Sequence, residues 1–153
     1  MVVDDHPMWR DAVARDLTDA GYQVTAAVGE GVQAIRVAPA VRPDVVVLDL
    51  QLPDVSGVDV IRGLCAAHPP VRILMLSASG EQQDVLDAVK AGATGYLLKS
   101  AGREEFLAAV RRTADGDAVF TPGVGGSGTR GVPAAHRRAG ASSGRAAPDR
   151  TGD

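Results

Sequence analysis

The stretch that decides the fold is Val45-Val46-Val47-Leu48-Asp49-Leu50-Gln51-Leu52-Pro53-Asp54-Val55-Ser56-Gly57. Its apolar run is continuous rather than alternating, as expected of a strand buried on both faces. It stops on a carboxylate and gives way to a Pro- and Gly-containing loop. Working outward, residues 23–28, 71–77 and 94–98 read as further strands. Helical spacing lies between them: Val13 and Leu17; Val58, Ile61, Leu64 and Cys65; Val85, Ala88 and Val89; Phe106, Leu107 and Val110. Pro7 suits an early helix position, and Gly21 and Gly92 suit helix C-termini. Pro39 and Pro43 are expected to end the second helix. Alternating β and α units of this length predict an α/β fold, a parallel sheet wound with helices on both sides. Only Met1, Val2 and Val3 precede Asp4, so the first strand is shortened.

The rest of the chain bounds the reading. Its 153 residues carry net charge −3 and are 45% hydrophobic, enough for one domain with a real core. The longest strongly apolar run is far short of the roughly 20 residues of a membrane span. No secretory signal is visible, since Asp4 and Asp5 occupy the place of a basic region. The single cysteine, Cys65, leaves no intrachain disulfide, and a cytoplasmic location is expected. After Phe120 there is no Leu, Ile, Met or aromatic residue, and five arginines face two aspartates from Pro122 onward. A Gly/Ala/Arg/Pro-rich segment of this kind buries too little to offset its ordering entropy, so 122–153 is expected to be a disordered tail after a domain spanning 1–121.

Polar groups collect at the strand ends: Asp4-Asp5, Asp49, Ser77 and Lys99. Ligands of open α/β sheets bind beyond the carboxyl ends of the strands. A carboxylate there is costly unless paired or bound to a metal. One lysine cannot neutralise three carboxylates, whereas a divalent cation can, and oxygen ligation favours Mg²⁺ over Zn²⁺. Singly, each residue has a plain alternative: Asp-Asp as a solvated turn, Asp49 as a strand terminator, Ser77 as a loop starter, Lys99 as a surface charge. Four such groups at four strand ends are a different matter.

Together with Gly95-Tyr96-Leu97-Leu98-Lys99, these residues resemble the receiver domain of two-component response regulators over residues 1 to about 121. Asp4-Asp5-His6-Pro7 and Lys99-Ser100-Ala101 resemble its LuxR-type, NarL-like transcriptional branch. The resemblance implies a flavodoxin-like fold, a five-stranded parallel sheet of order 2-1-3-4-5 with five helices. It implies Asp49 as phosphoacceptor, Asp5, Asp49 and the Gln51 carbonyl as Mg²⁺ ligands, and Asp4 acting mainly through a water. Lys99 would bond a phosphoryl oxygen. Ser77 would be the switch hydroxyl, and its movement would let the switch aromatic, Tyr96, turn inward. A sensor histidine kinase is the implied partner, and the resemblance allows a homodimer through the helix 4–strand 5–helix 5 face. Nothing after Phe120 has the leucine periodicity of a helix-turn-helix, so no DNA binding is expected of these residues. A haloacid-dehalogenase-type phosphatase would share the strand-end Asp, Ser and Lys. It needs a second acid two residues after the nucleophile, where Gln51 stands. The chain is therefore expected not to be an enzyme beyond chemistry at its own Asp49.

Overall fold

The computed structural model describes residues 1–120. The expectations for the tail fall outside that range. Strands β1 (Val2–Val3), β2 (Ala27–Val28), β3 (Val45–Asp49), β4 (Arg72–Ser77), β5 (Gly95–Leu98) and β6 (Val119–Phe120) form one parallel sheet of order β2-β1-β3-β4-β5-β6. The expected order is present, with one strand more. Val119 and Phe120 pair beside Gly95 and Tyr96.

The helices are α1 (Pro7–Asp19), α2 (Gly31–Val41), α3 (Gly57–Ala67), α4 (Gln82–Ala91) and α5 (Arg103–Ala114). Strand side chains alternate between two cores. Val46, Leu48, Ile73 and Met75 pack with Ala34 and Ala38 of α2, Ile61 and Leu64 of α3 and Val85 of α4. Val47, Leu74 and Leu76 pack with Val13 and Leu17 of α1 and Phe106 and Val110 of α5. The period of two along each strand thus feeds both faces of the sheet.

Strands β4 and β5 each start one residue later than expected, and two boundaries differ by more. Strand β2 is only Ala27–Val28, paired with Val2 and Val3 of β1; the Ala26 carbonyl accepts one further bond from Val2 N–H at 2.9 Å. Helix α2 runs through Pro39 and ends with Arg42 in the left-handed conformation, just ahead of Pro43. Having no N–H, Pro39 forgoes the bond to the Ile35 carbonyl, and the helix stops two residues later.

The two-residue β1 lies inside the sheet, between β2 and β3. Met1 adds two bonds to β3: its terminal ammonium donates to the Val45 carbonyl at 2.9 Å, and its own carbonyl accepts from Val47 N–H at 2.9 Å. Burial pulls the ammonium down to about 6, against the opposing charge of Asp44.

Candidate functional site at the carboxyl ends of the strands

The strand ends bring Asp4, Asp49 and Lys99 into contact. Lys99 Nζ lies 3.2 Å from both Asp4 Oδ2 and Asp49 Oδ2. Both carboxylates are almost wholly buried, Asp4 at 2% and Asp49 at 3% exposure. Asp49 Oδ1 accepts from the Gln51 N–H at 3.1 Å, which fixes the carboxylate plane at the start of the β3–α3 loop. Burial pushes the Asp49 carboxyl above its ordinary range. The Gln51 N–H opposes that, the Asp4 charge adds to it, and Lys99 opposes it again.

Asp4 Oδ1 accepts from His6 N–H at 2.9 Å. His6 Nδ1 stands 3.3 Å from Asp4 Oδ1 and 3.2 Å from Asp5 Oδ1. His6 is the N-cap residue of α1 and is exposed, so it lines the rim as a partner of both aspartates. Asp4, Asp5, His6 and Asp49 each bring one ligand atom within 4.8 Å of the others. Two buried oxygens, Asp5 Oδ1 and Asp49 Oδ2, have only ion-pair contacts, to His6 Nδ1 and Lys99 Nζ at 3.2 Å, and accept no hydrogen bond among the described residues. Buried oxygens left this way are costly. The donor set therefore fits a divalent metal ion.

Ser77 ends β4 fully buried. Its Oγ accepts from Ser79 N–H at 3.0 Å, and the Tyr96 hydroxyl donates to the Ser79 carbonyl at 3.1 Å. One peptide segment thus links Ser77 to Tyr96. Tyr96 already lies inward, at 0% exposure, and burial pushes its phenol up. The inward position expected to follow a movement of Ser77 is the one this structure adopts. Lys99 N–H donates to the Ser77 carbonyl at 2.8 Å, tying β5 to β4 at the site's edge.

Three contributors escaped the sequence reading. Arg10 of α1 donates to the Asp4 carbonyl at 2.8 Å, holding the β1–α1 loop. Asp54 accepts from the Gly31 and Val32 N–H groups at 3.0 and 2.9 Å. Those bonds hold its carboxyl below the usual range and cap α2 from the β3–α3 loop. Trp9 of α1 places its ring face 5.1 Å from Lys99 Nζ. The Asp-Pro-Gly content of the loop after Asp49 hinted at capping, but not at which helix would be capped. Gly57 had a clearer signal: a Cβ there would stand 2.7 Å from the Leu50 carbonyl oxygen, so only glycine lets α3 start this close to the loop.

The model of the response regulator receiver domain matches residues 1–111. The chain belongs to that family. Among curated relatives of this receiver, the nitrate/nitrite response regulator NarP of Escherichia coli is 39% identical over 125 residues, 81% of this chain and 58% of NarP. The chain spans 48% to 60% of the length of the first curated relatives it matches. Among solved structures, the signal receiver domain of NarL from Mycobacterium tuberculosis superposes with TM-score 0.71 at 36% identity, covering 75% of this chain and 94% of that one. A Burkholderia pseudomallei response regulator, determined with a phosphorylated aspartic acid, a calcium ion and citrate, superposes with TM-score 0.66 at 34% identity, covering 74% of this chain and 66% of that one. A further curated relative, DegU of Brevibacillus brevis, 34% identical over 125 residues, 81% of this chain and 53% of DegU, is named a transcriptional regulatory protein. Among the described residues, no helix is long and apolar enough to cross a membrane.

Proposed function

We propose that this receiver takes a phosphoryl group on Asp49 from the phosphohistidine of a sensor histidine kinase and uses it to alter a partner-binding face. The observation that carries the reading is the Asp49 carboxylate: buried at the end of β3, oriented by Gln51, beside Lys99, with one oxygen left without a hydrogen bond. A carboxylate oxygen attacks phosphorus in line. The N–P bond of the donor breaks, the imidazole leaves, and an acyl phosphate forms. The transition state is loose, so positioning and charge do most of the work. Asp5, Asp49 and the Gln51 carbonyl would hold Mg²⁺, with Asp4 acting mainly through a water. When bound, the ion supplies positive charge to the transferred oxygens. Lys99 moves from its carboxylate partners onto a phosphoryl oxygen.

Ser77 is the switch hydroxyl in this reading. When it turns to a phosphoryl oxygen it shifts the Ser79 N–H it holds, and with it the carbonyl that anchors Tyr96. The surface of α4, β5 and α5 then changes shape, a two-state element biased by a local charge event. That face would serve a second copy or another protein. Relatives are named transcriptional regulatory proteins; residues 1–153 are proposed to signal by protein contact, and promoter DNA in a gel shift should show no specific band with them. Chemistry stays at the chain's own Asp49, with no turnover of an external substrate.

The test is incubation with Mg²⁺ and acetyl phosphate. Intact mass should rise by one phosphoryl group, the label should be hydroxylamine-sensitive, and Asp49→Asn should take none. Retained acyl-phosphate label in that variant would defeat the assignment. Sustained turnover of p-nitrophenyl phosphate would favour a phosphatase instead.

A further inference from the structure

We propose that Trp9 is a positioning residue for Lys99: its indole face seats the ammonium and holds it within reach of Asp4 and Asp49. The inference rests on the phosphoacceptor reading only for its functional consequence. The seat itself is geometric. Lys99 Nζ lies 5.1 Å from the Trp9 ring centroid, inside the range of a cation–π contact. The same nitrogen is 3.2 Å from Asp4 Oδ2 and from Asp49 Oδ2. The ammonium is thus held by two carboxylates and an aromatic face. A lysine chain has many rotamers to lose, and a third wall reduces the number open to it.

The indole is an odd choice if it only fills space. Trp9 lines a groove of about 120 Å³ between α1 and α5, together with Leu98, Lys99, Ala101 and Phe106. Its Nε1–H is buried and has no hydrogen-bond partner among the described residues. Leucine or phenylalanine would line the groove without that cost. What the indole adds is the strongest quadrupole of the aromatic side chains, facing the one ammonium at the site. Trp9 also sits on a fixed base: Arg10, the next residue, ties α1 to the Asp4 carbonyl at 2.8 Å. The ring therefore reports, and can transmit, displacements of the α1 amino end to Lys99.

The experiment compares the full chain with Trp9→Leu and Trp9→Phe by NMR. In the wild type the Lys99 side-chain methylene resonances should be shifted upfield by the ring current. Trp9→Leu should return them toward random-coil values and Trp9→Phe should leave part of the shift. Titration with beryllofluoride and Mg²⁺, a mimic of the phosphoryl group, should show affinity about 5-fold weaker in Trp9→Leu and intermediate in Trp9→Phe. The same Trp9→Leu change on a Lys99→Met background should have no effect on affinity, which a purely structural role would not predict. Unchanged Lys99 resonances in Trp9→Leu, or equal affinities in all three proteins, would overturn the proposal. If Trp9→Leu does not fold, the Phe variant decides by the same two readouts. A wild type that fails to bind beryllofluoride counts against the phosphoacceptor reading, and the ring-current result then judges the Trp9 seat alone.

Discussion

The two ends of the central strands both put charge into a buried sheet, and they manage it differently. At the carboxyl ends, Asp4 and Asp49 share Lys99, and the backbone N–H groups of His6 and Gln51 each bond one of their oxygens, Asp49 Oδ2 accepting no hydrogen bond among the described residues. At the amino end of β1, the Met1 ammonium has the Val45 carbonyl as its bonded partner and is pulled down to about 6 by burial. The first arrangement is a cluster whose surplus negative charge a cation can neutralise. The second is a single ammonium, eased only by the charge of Asp44, standing where a neutral peptide N–H would make the same bond. One end stores electrostatic strain that phosphorylation chemistry can use; the other carries strain that only affects stability.

The comparison can be tested by discharging each end in turn. Asp49→Asn has the largest expected effect: complete loss of acetyl-phosphate labelling. It should also raise the midpoint of thermal unfolding at neutral pH. The folded-state carboxyl binds its proton more tightly than the unfolded one, so ionised Asp49 opposes folding above its ordinary range. A lowered midpoint would contradict the account of that cluster.

At the other end the sign reverses. The Met1 amine is weaker in the folded chain, about 6 against 8.0. Its contribution is therefore full above pH 8 and is lost as pH falls through about 6, amounting to about 2–3 kcal/mol. N-terminal acetylation keeps the N–H and removes the charge. Denaturant unfolding at pH 6 and pH 8.5 should show this difference shrink on acetylation. An identical pH dependence in both forms would mean that the ammonium is not desolvated.

Smaller effects test the links around the site. Tyr96→Phe strips the Ser79 carbonyl of its donor and should destabilise by on the order of 1 kcal/mol, with faster amide exchange in the loop after Ser77. Exchange unchanged in that loop would break the Ser77–Ser79–Tyr96 link. Asp54→Ala should lower the melting midpoint slightly, with the difference fading below the ordinary carboxylate pH range, since the cap needs the ionised carboxylate.

Much of this was legible in the residues. The continuous apolar run ending on Asp49 announced a doubly buried strand with a polar tip, and the spacing of Ser77 and Lys99 put their side chains at neighbouring tips. What stayed hidden depended on distance along the chain. Residues 23–28 have the apolar content of a full strand, but pairing depends on β1, and β1 has two residues to offer. Val119–Phe120 is too short to announce itself; β5 makes it a strand by lying beside it. Pro39 suggested a helix end because local rules penalise it without knowing that the helix stops soon afterwards in any case. The Trp9–Lys99 contact joins residues far apart in the chain and leaves no periodic trace. Tyr96 was recognisable as an aromatic on β5, but whether it turned in or out depended on the Ser79 carbonyl.

The central claim is that one carboxylate, Asp49, takes the phosphoryl group. Borohydride reduction of the acetyl-phosphate-treated chain, followed by peptide mass spectrometry, tests it most directly, because reduction converts an acyl-phosphorylated aspartate to homoserine. The account predicts homoserine at position 49 alone, dependent on Mg²⁺. Homoserine at position 4 or 5, or at none of the three, would contradict it.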